Sequence, residues 1–327
     1  MDRFARTTPR PSLTPVLVLA VIAIAAIPAA VVLAQPAAPA PFAIVESGTG
    51  YSTLQQAVDA IGAGRGTIAV APGTYRECAV QEAGDLTIVA SEPGKAVFDR
   101  ATCEGKAALV LRGRSARLSG LVFRGMAVPD GNGAGVRLEQ GDLTIAQSWF
   151  LDSQQGILTA DDPASAIVID KTTFSGLGTC ENSAGCAHSI YIGDYGSLKV
   201  TRSRFERGTG GHYLKSRART VDIASNSFDD SAGRGTNYMI DLPDGATGRI
   251  ANNWFVQGRD KENYSAFIAL GAEEVLHASD GLEVANNEAR FVPGLSRTSV
   301  FLADWTGSKI VMQGNKLAAG LKQYEVR

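Results

Sequence analysis

Residues 211–218 carry the side chains best suited to chemistry. Their sequence is Gly-His-Tyr-Leu-Lys-Ser-Arg-Ala, and we predict a β-strand whose alternate side chains point to opposite faces. Tyr213, Lys215 and Arg217 then share one face, and Leu214 marks the opposite, buried face because it is the apolar residue among polar ones. Two cations and a phenol would stand in a row on an outer wall, where they could bind an acidic ligand.

The reaction that these residues could perform is β-elimination on a uronate polysaccharide. It needs a base for the proton beside a carboxylate, a cation for the developing enolate and an acid at the leaving oxygen. Lys215 or His212 could be the base, and Arg217 could hold the carboxylate in a bidentate manner. Tyr191 or Tyr213 could supply the proton to the leaving group. A lysine base needs a depressed pKa, which the like charge of Arg217 would favour.

A purely structural role is the alternative for the same residues. The two cations would then be solvated charges on an exposed sheet, paired with Asp194 or Asp241. The parity of the strands points His188 and His212 inward, where a histidine is usually a hydrogen-bonded core or turn residue.

Further residues are predicted to bind ligands. The predicted substrate contacts outside the catalytic group are Tyr213, Tyr238, His188, Asp241 and Glu273. Asp241, Asp244 and Glu273 could also bind Ca²⁺, which prefers carboxylate oxygens, or they could be turn formers.

A repeat with a phenylalanine at its centre positions these residues. The repeated unit is a β-run, a few polar residues, a phenylalanine and a loop with glycine, and its mean length is about 28 residues. The positions of this anchor are Phe123, Phe150, Phe174, Phe205, Phe228, Phe255, Ala289 and Leu317. The polar residues two positions before the later anchors are Ser148, Thr172, Ser203, Asn226, Asn253, Asn287 and Asn315, which should form a hydrogen-bonded ladder.

This period predicts an all-β fold, a right-handed parallel β-helix with one strand per side of each coil. Propeller blades need about 40 residues or more, and helical repeats need helices that the pattern lacks. A short helix at residues 53–62 would cap the first coil. The β-helix domain is predicted over residues 45–327.

Two segments resemble the opening of pectin-lyase-like right-handed parallel β-helix proteins. They are Tyr-Ser-Thr-Leu-Gln-Gln-Ala at 51–57 and Ile-Ala-Val-Ala-Pro-Gly-Thr-Tyr at 68–75. Segments at 188–193, 211–218, 238–245 and 271–273 resemble a narrower group of exported bacterial β-helix proteins without an assigned activity. The resemblance implies the fold and the position of a site. It does not imply the reaction, since lyases, esterases, hydrolases and epimerases share this architecture.

Aligned coils should bring the site together. His188, His212 and Asn237 take one position in this alignment, and Tyr191, Lys215 and Ile240 take another, three residues later. Neighbouring coils are about 4.8 Å apart, so Tyr191 and Lys215 should touch or share a ligand.

Residues 1–34 have the composition of a targeting segment. Three arginines precede an apolar run of about 18 residues, and the segment ends in Val-Leu-Ala. This order of charged, apolar and small residues is typical of a signal peptide. An uncleaved membrane anchor is the alternative for this segment. Residues 35–44 are predicted to form an extended linker. Either way the domain should be periplasmic or secreted. The four cysteines agree with an oxidising compartment, and the favoured pairs are Cys78–Cys103 and Cys180–Cys186.

The formal charge of −2 argues against a nucleic-acid partner, because duplex binders carry a basic face. We expect a monomeric, lyase-like enzyme whose partner is an acidic polysaccharide. Contact with a membrane is expected only if the N-terminal segment is not cleaved. A C5-epimerase of a uronate polymer, or a non-catalytic glycan-binding or envelope protein, is the alternative.

Overall fold

The computed structural model describes residues 40–183 and 185–327. The predicted targeting segment at 1–34 and the first half of the predicted linker, residues 35–39, lie outside the described residues, so both stay predictions. Residues 42–44 of the predicted linker form a β-strand of the solenoid instead. Within the described part of the chain, no helix is long and apolar enough to cross a membrane.

The chain forms a parallel β-solenoid in which each turn adds one strand to each of three sheets, named A, B and C. Sheet A has twelve strands: Phe42–Ile44, Gly50–Tyr51, Arg65–Val70, Asp85–Ala90, Ser115–Ser119, Asp142–Ala146, Asp162–Asp170, Tyr195–Thr201, Thr220–Ala224, Thr247–Ala251, Glu283–Ala285 and Val311–Gln313. The strand Phe42–Ile44 is antiparallel to both of its neighbours, and the later strands of sheet A are parallel.

Sheets B and C are parallel throughout, with ten strands each. The strands of sheet B are Gly73–Tyr75, Ala96–Asp99, Leu121–Arg124, Trp149–Leu151, Thr173–Ser175, Arg204–Glu206, Ser227–Asp229, Trp254–Gln257, Glu288–Phe291 and Lys316–Leu317. The strands of sheet C are Ala79–Gln81, Ala107–Leu111, Ala134–Leu138, Gln155–Thr159, Ile190–Ile192, Leu214–Ser216, Ile240–Leu242, Ala266–Leu270, Ser299–Asp304 and Leu321–Val326.

The predicted phenylalanine column is confirmed on the inner face of sheet B. From Phe123 to Phe255 each ring is the register partner of the next, and Ala289 and Leu317 continue the column. Ring centroids between Phe123 and Phe255 lie 4.7–5.0 Å apart, at nearly parallel orientations. Burying each ring contributes about 1.5–3 kcal/mol, so the column forms a continuous core.

The predicted polar ladder is also confirmed, at the turn between sheets A and B. Asn253 Oδ1 accepts hydrogen bonds from the backbone N–H and the side-chain amide of Asn226, at 2.9 and 3.0 Å. Asn253 Nδ2 donates to Ile223 O at 2.8 Å and to Asn287 Oδ1 at 3.1 Å. The ladder therefore satisfies backbone groups that the turn would otherwise leave unpaired.

Replacing Asn253 with alanine should lower the free energy of unfolding by about 2–4 kcal/mol, because buried donors lose their acceptor. Urea denaturation measures this loss. Asn315→Ala is the matched control, since Asn315 lies at the half-exposed end of the same ladder and should cost less. Equal losses in the two variants would contradict the expectation that the buried part of the ladder contributes more stability than its half-exposed end.

One helix, Leu54–Ile61, occurs among the described residues, where the sequence predicts it. Thr53 is its N-cap and accepts a hydrogen bond from the Gln56 N–H. Leu54, Ala57 and Val58 are buried in the core beside the first coils. The helix is confirmed, and its role as a cap stays a prediction.

Both predicted disulfides are present, Cys78–Cys103 and Cys180–Cys186. The first joins neighbouring coils, and the second closes a short loop beside sheet C. Two disulfides are typical of an extracytoplasmic protein, because reducing compartments keep thiols free.

Candidate functional site

A column of outward-facing residues crosses sheet C. Its register partners, in order along the sheet, are Arg137, Leu158, Tyr191, Lys215 and Asp241. The residue before each of the last three is an inward, fully buried aliphatic side chain: Ile190, Leu214 and Ile240. The predicted pairing of Tyr191 with Lys215 is therefore confirmed, as is the burial of Leu214.

The predicted alignment of Ile240 with Lys215 is wrong, and Asp241 takes that place. Gly211 pairs with Thr236, and Leu214 pairs with Ile240. The segment between these pairs is thus one residue longer on the later coil. Because a shift of one residue moves a side chain to the other face of the sheet, this extra residue turns Ile240 inward and Asp241 outward.

A cavity of about 580 Å³ opens on this face of sheet C. Its charged lining residues are the cations Lys106, Arg137, Lys215 and Arg217 and the carboxylates Asp130 and Glu273, a formal net charge of +2. Aromatic and apolar surface comes from His188, Tyr191 and Leu158. The cavity therefore offers both ring-stacking surface and positive charge.

Lys215 and Arg217 are held by carboxylates from later coils. Lys215 Nζ lies 3.1 Å from Asp241 Oδ2 and also donates to Glu273, whose carboxylate bridges it to Arg217. Arg217 further pairs with Asp244. The side chains of Lys215 and Asp241 are 9% and 4% exposed, so this pair is largely desolvated, whereas the side chain of Glu273 is 43% exposed. The predicted pairing with Asp241 is confirmed for Lys215, and Arg217 pairs with Asp244 and Glu273 instead.

These contacts oppose the expected role of Lys215 as a base. Burial acts to lower the pKa of Lys215, but the charges of Asp241 and Glu273 and their hydrogen bonds outweigh it, so the pKa is raised. The expectation that Arg217 depresses this pKa is wrong, because carboxylates lie closer to the ammonium group than Arg217 does. Lys215 stays protonated at neutral pH and can act only as a cation and hydrogen-bond donor.

Both cations keep donors for a ligand. An ammonium group has three N–H donors, and Lys215 uses two of them on Asp241 and Glu273. A guanidinium has five, and Arg217 uses one on each of Asp244, Glu273 and Tyr191. Three donors therefore remain on the two side chains, and an incoming carboxylate could bind without displacing the bound ones.

Arg217 also positions Tyr191. Arg217 Nε donates to Tyr191 Oη at 2.9 Å, which leaves the hydroxyl hydrogen of Tyr191 free for another acceptor. The Cζ atom of Arg217 lies 6.0 Å from the centroid of the Tyr191 ring, so the guanidinium fixes the orientation of the phenol. Tyr191 is thus the cavity residue best placed to transfer a proton.

The two histidines of the site are neutral, and their rings are in contact at a tilt of 33°. Their ring centroids lie 4.9 Å apart, and His188 Nδ1 accepts the backbone N–H of His212 at 3.0 Å. Burial and the neighbouring His212 lower the pKa of His188 well below its usual value. Because Nδ1 is an acceptor, neutral His188 carries its hydrogen on Nε2 and can donate to a ligand in the cavity.

His212 is a poor candidate for the predicted base. Burial, followed by the charges of Lys215 and Lys261, holds its pKa at about 3. Its Nε2 lies 3.4 Å from Asp241 Oδ2, and its Nδ1 is buried without a hydrogen-bond partner in the described part of the chain. His212 lies between His188 and Tyr238 in the row of rings and is not among the residues that line the cavity.

Tyr213 and Tyr238 depart from the predicted wall in different ways. Tyr213 is 1% exposed in the core, and its hydroxyl donates to Asp230 at 2.8 Å, so its predicted substrate contact is wrong. The parity argument fails because the regular strand begins only at Leu214. Tyr238 stacks on His212 with ring centroids 5.5 Å apart, and it extends the aromatic row away from the cavity.

The carboxylates proposed for Ca²⁺ do not fit that ion. Asp241, Asp244 and Glu273 direct their oxygens at Lys215 and Arg217. Across residues 40–183 and 185–327, no group of three or more His, Cys, Asp or Glu is arranged to hold a metal ion. Cations of the protein thus occupy the places where a metal would bind.

Sequence reasoning missed several cavity residues. Arg137 and Gln155 line it from earlier coils, and Arg137 shares the outward column with Lys215. His277 contacts the site from outside the cavity lining: its Nε2 is 3.1 Å from the carbonyl oxygen of Arg217 and 3.4 Å from Asp194 Oδ1. Extending the alignment of outward residues by two coils would have found Arg137. No periodic signal marks His277, which lies in a loop.

The ion cluster should make stability depend on acid pH. Burial acts to raise the pKa of Glu273, but the hydrogen bonds and charges of Lys215 and Arg217 outweigh it and lower the pKa from 4.5 to about 2. A depressed pKa contributes stability above the unfolded value, and this contribution disappears as the pH falls from about 4.5 to about 2.

The difference in unfolding free energy between the protein and Glu273→Gln should therefore shrink across that window. Denaturation in urea at several pH values measures it, and using the difference cancels the other titrating groups. A difference that stays constant from neutral pH to about pH 2 would contradict the pairing of Glu273 with these cations.

Comparisons with known proteins support the fold alone. No family model and no curated protein matches the sequence. Among solved structures, the chain resembles ORF18 of Geobacillus virus E2, with a TM-score of 0.50 and 13% identity over 83% of this chain. The match covers 56% of that structure's chain, so this protein spans little more than half of its length.

A second solved structure is the catalytic unit of an α-1,3-glucanase from Streptomyces thermodiastaticus. It matches with a TM-score of 0.24 and 11% identity, over 88% of this chain and 70% of that one. A likeness this distant says nothing about chemistry. Function must therefore be argued from the cavity itself.

Proposed function

We propose that this protein acts on an acidic polysaccharide, which it binds in the cavity on sheet C and cleaves by β-elimination. The observation that carries the proposal is the contact between Arg217 Nε and Tyr191 Oη at 2.9 Å beside Lys215, with all three residues lining one cavity. A proton-transferring group and two cations with spare donors are the minimum that the reaction needs.

The charge and shape of the cavity support an acidic glycan as the ligand. The net charge of its lining residues is +2, whereas the whole chain has a formal charge of −2. Cations thus outnumber carboxylates on the cavity surface itself, while Asp241 and Asp244 pair with Lys215 and Arg217 from outside the lining. An anionic polymer would be bound by the spare N–H donors of these cations. The ring of His188 and the side chain of Leu158 offer apolar surface to the faces of sugar rings.

The roles differ from those that the sequence predicts. Lys215 is protonated and His212 is not among the residues that line the cavity, so neither is proposed as the base. In this proposal Tyr191 first gives its phenolic proton to water, and the resulting phenolate, which still accepts a hydrogen bond from Arg217 Nε, takes the proton from the carbon beside the uronate carboxylate. The C–H electron pair forms the new C=C bond through an enolate, the bond to the glycosidic oxygen breaks, and Tyr191 returns the proton to that oxygen.

The cations stabilise the charge that develops in this step. Lys215 and Arg217 direct their remaining N–H donors at the uronate carboxylate, whose charge is spread over the enolate in the transition state. Neutral His188 donates from Nε2 to a sugar oxygen. Glu273 and Asp244 hold Arg217 in place, so that its Nε stays on Tyr191.

A non-catalytic glycan-binding protein is the second candidate. The observation that favours it is that Lys215 and Arg217 already bind the three carboxylates Asp241, Asp244 and Glu273. Paired cations of this kind serve to hold strand ends together as well as to bind ligands. C5-epimerisation shares the first proton transfer and differs only in reprotonating the opposite face.

We also propose a fold family and a cellular compartment for the protein. We place the fold among right-handed pectin-lyase-like β-helix proteins on the motifs at 51–57 and 68–75. The two disulfides and the targeting composition of residues 1–34 support export to the periplasm or the medium.

A screen of acidic and neutral polysaccharides tests this function. Unsaturated product that absorbs in the ultraviolet identifies a lyase, and a change of isomer without cleavage identifies an epimerase. Binding of an acidic polymer without turnover identifies the second candidate. Equal binding of neutral and acidic polymers, or binding of neither, would contradict an acidic substrate.

A further inference from the structure

We infer that the cavity contains a second binding site for an acidic sugar unit, formed by Arg137 with Gln155 and separate from the Lys215 and Arg217 pair. This inference rests on the proposed function, because it assigns where a further unit of the same polymer binds.

Arg137 is the cavity arginine with the most open hydrogen-bonding capacity. Its Nη1 has one weak contact, 3.5 Å from Thr159 O, and its Nε is buried without a hydrogen-bond partner in the described part of the chain. The carboxylate of Glu139 is 3.8 Å from Nε and already binds Lys106 and Arg112, at 2.7 and 2.6 Å. A guanidinium with an open edge is suited to bidentate binding of a carboxylate.

Gln155 is the second and independent observation. Its side chain is on the cavity wall, the residue is 2% exposed, and Oε1 has no partner among the described residues. Its Nε2 donates to Asn132 Oδ1 at 2.8 Å, which fixes the orientation of the amide. A buried acceptor without a partner costs about 1–3 kcal/mol, which a hydroxyl donor from a ligand would recover.

The two residues together select one class of ligand. The guanidinium of Arg137 can bind a carboxylate, and the free Oε1 of Gln155 can accept a hydrogen bond from a hydroxyl. A uronate unit carries both groups on one ring. Lys106 also lines this end of the cavity and adds positive charge, although Glu104 and Glu139 already pair with it. Asp130 lies on the same wall. Its Oδ1 accepts a hydrogen bond from the Asn132 N–H at 3.1 Å, and its backbone carbonyl oxygen accepts one from Asn132 Nδ2 at 3.2 Å.

The column sets the distance between the two binding sites. Arg137 and Lys215 are three rungs apart, with Leu158 and Tyr191 between them. At about 4.8 Å per rung this is roughly 14 Å, longer than one sugar ring. An oligosaccharide can therefore contact both sites at once, whereas a disaccharide that occupies the Lys215 site cannot reach Arg137.

Arg137→Gln tests the inference, since it keeps a polar side chain but removes the charge and the guanidinium fork. Calorimetry would measure the binding of di- and hexasaccharides of galacturonate, alginate and hyaluronan to the protein and to the variant. Affinity for the best hexasaccharide should fall about 10–100-fold, as expected for a lost charged hydrogen bond, and affinity for its disaccharide should not change. Arg117→Gln, on the exposed face of sheet A, is the control and should match the unmodified protein.

The outcomes separate this inference from the proposed function. Equal hexasaccharide affinity in the protein and in Arg137→Gln would overturn the second site while leaving the proposed function intact. Equal losses for hexasaccharide and disaccharide would also overturn it, because Arg137 would then act through the Lys215 site. No binding of any oligosaccharide to the unmodified protein would overturn both.

Discussion

Replacing Tyr191 with phenylalanine should lower turnover of an acidic polysaccharide roughly 10²–10⁴-fold while leaving the fold intact, which is the range expected when a proton-transferring group is lost. The phenol oxygen is the only atom removed, and the aromatic ring keeps its contact with His188, 5.7 Å between centroids. Arg217 loses one hydrogen bond but keeps Asp244 and Glu273. Initial rates measured by the ultraviolet absorbance of unsaturated product test this expectation.

Tyr264→Phe is the matched control, because Tyr264 is 49% exposed and lies outside the cavity lining. It should retain the rate of the unmodified protein. Binding affinity should change little in Tyr191→Phe, since the cations supply most of the attraction for the ligand. A variant that keeps its full rate would remove Tyr191 from the chemistry, and an equal loss in the control would point to a general effect on the fold.

Replacing Asp230 with alanine should lower the free energy of unfolding by about 3–5 kcal/mol, the cost of leaving a buried charge unpaired. Asp230 and Lys261 have side chains that are 0% exposed, and Asp230 Oδ2 lies 3.2 Å from Lys261 Nζ. Asp230 also accepts hydrogen bonds from Tyr213, Thr236 and the backbone of Gly258, at 2.8, 2.7 and 2.9 Å. All of these donors would lose their acceptor at once.

This network supports the site although it lies behind it. Thr236 pairs with Gly211 just before the strand that carries Lys215, and with Lys261 on the next coil. Burial acts to lower the pKa of Lys261, and Asp230 only partly opposes this, so removal of Asp230 favours loss of the lysine's proton. Chemical denaturation at two pH values would show the destabilisation and its decrease at alkaline pH.

Asp229→Ala is the control for this prediction. Asp229 is the preceding residue, is half-buried at the surface and binds only the backbone N–H of Ser231, at 3.0 Å, among its described hydrogen bonds. We expect it to cost less than about 1 kcal/mol. A loss in Asp230→Ala no larger than in this control would mean that the buried pair contributes nothing to stability.

The parts of the fold that repeat could be predicted from the sequence. The phenylalanine column and the asparagine ladder recur once per coil, so each coil confirms the register of the next, as at Phe205 and Phe228 or at Asn226 and Asn253. The pairing of Tyr191 with Lys215 followed from the same period. Register is predictable where one face is buried, since a slip would expose the core.

The parts of the site that break the repeat could not be predicted. One extra residue between Thr236 and Ile240 placed Asp241 beside Lys215, and the period alone cannot locate such an insertion. Glu273 reaches the cations from a loop that obeys no period. The protonated state of Lys215 depends on both carboxylates, so the error in their positions became an error in the chemistry assigned to Lys215.

A crystal structure of Tyr191→Phe with a bound acidic oligosaccharide tests the central claim most directly. The account predicts density for the sugar in the cavity on sheet C, with one carboxylate within hydrogen-bond distance of both Lys215 Nζ and the Arg217 guanidinium. An oligosaccharide bound to another face, or bound in the cavity with its carboxylates turned away from these two cations, would contradict it.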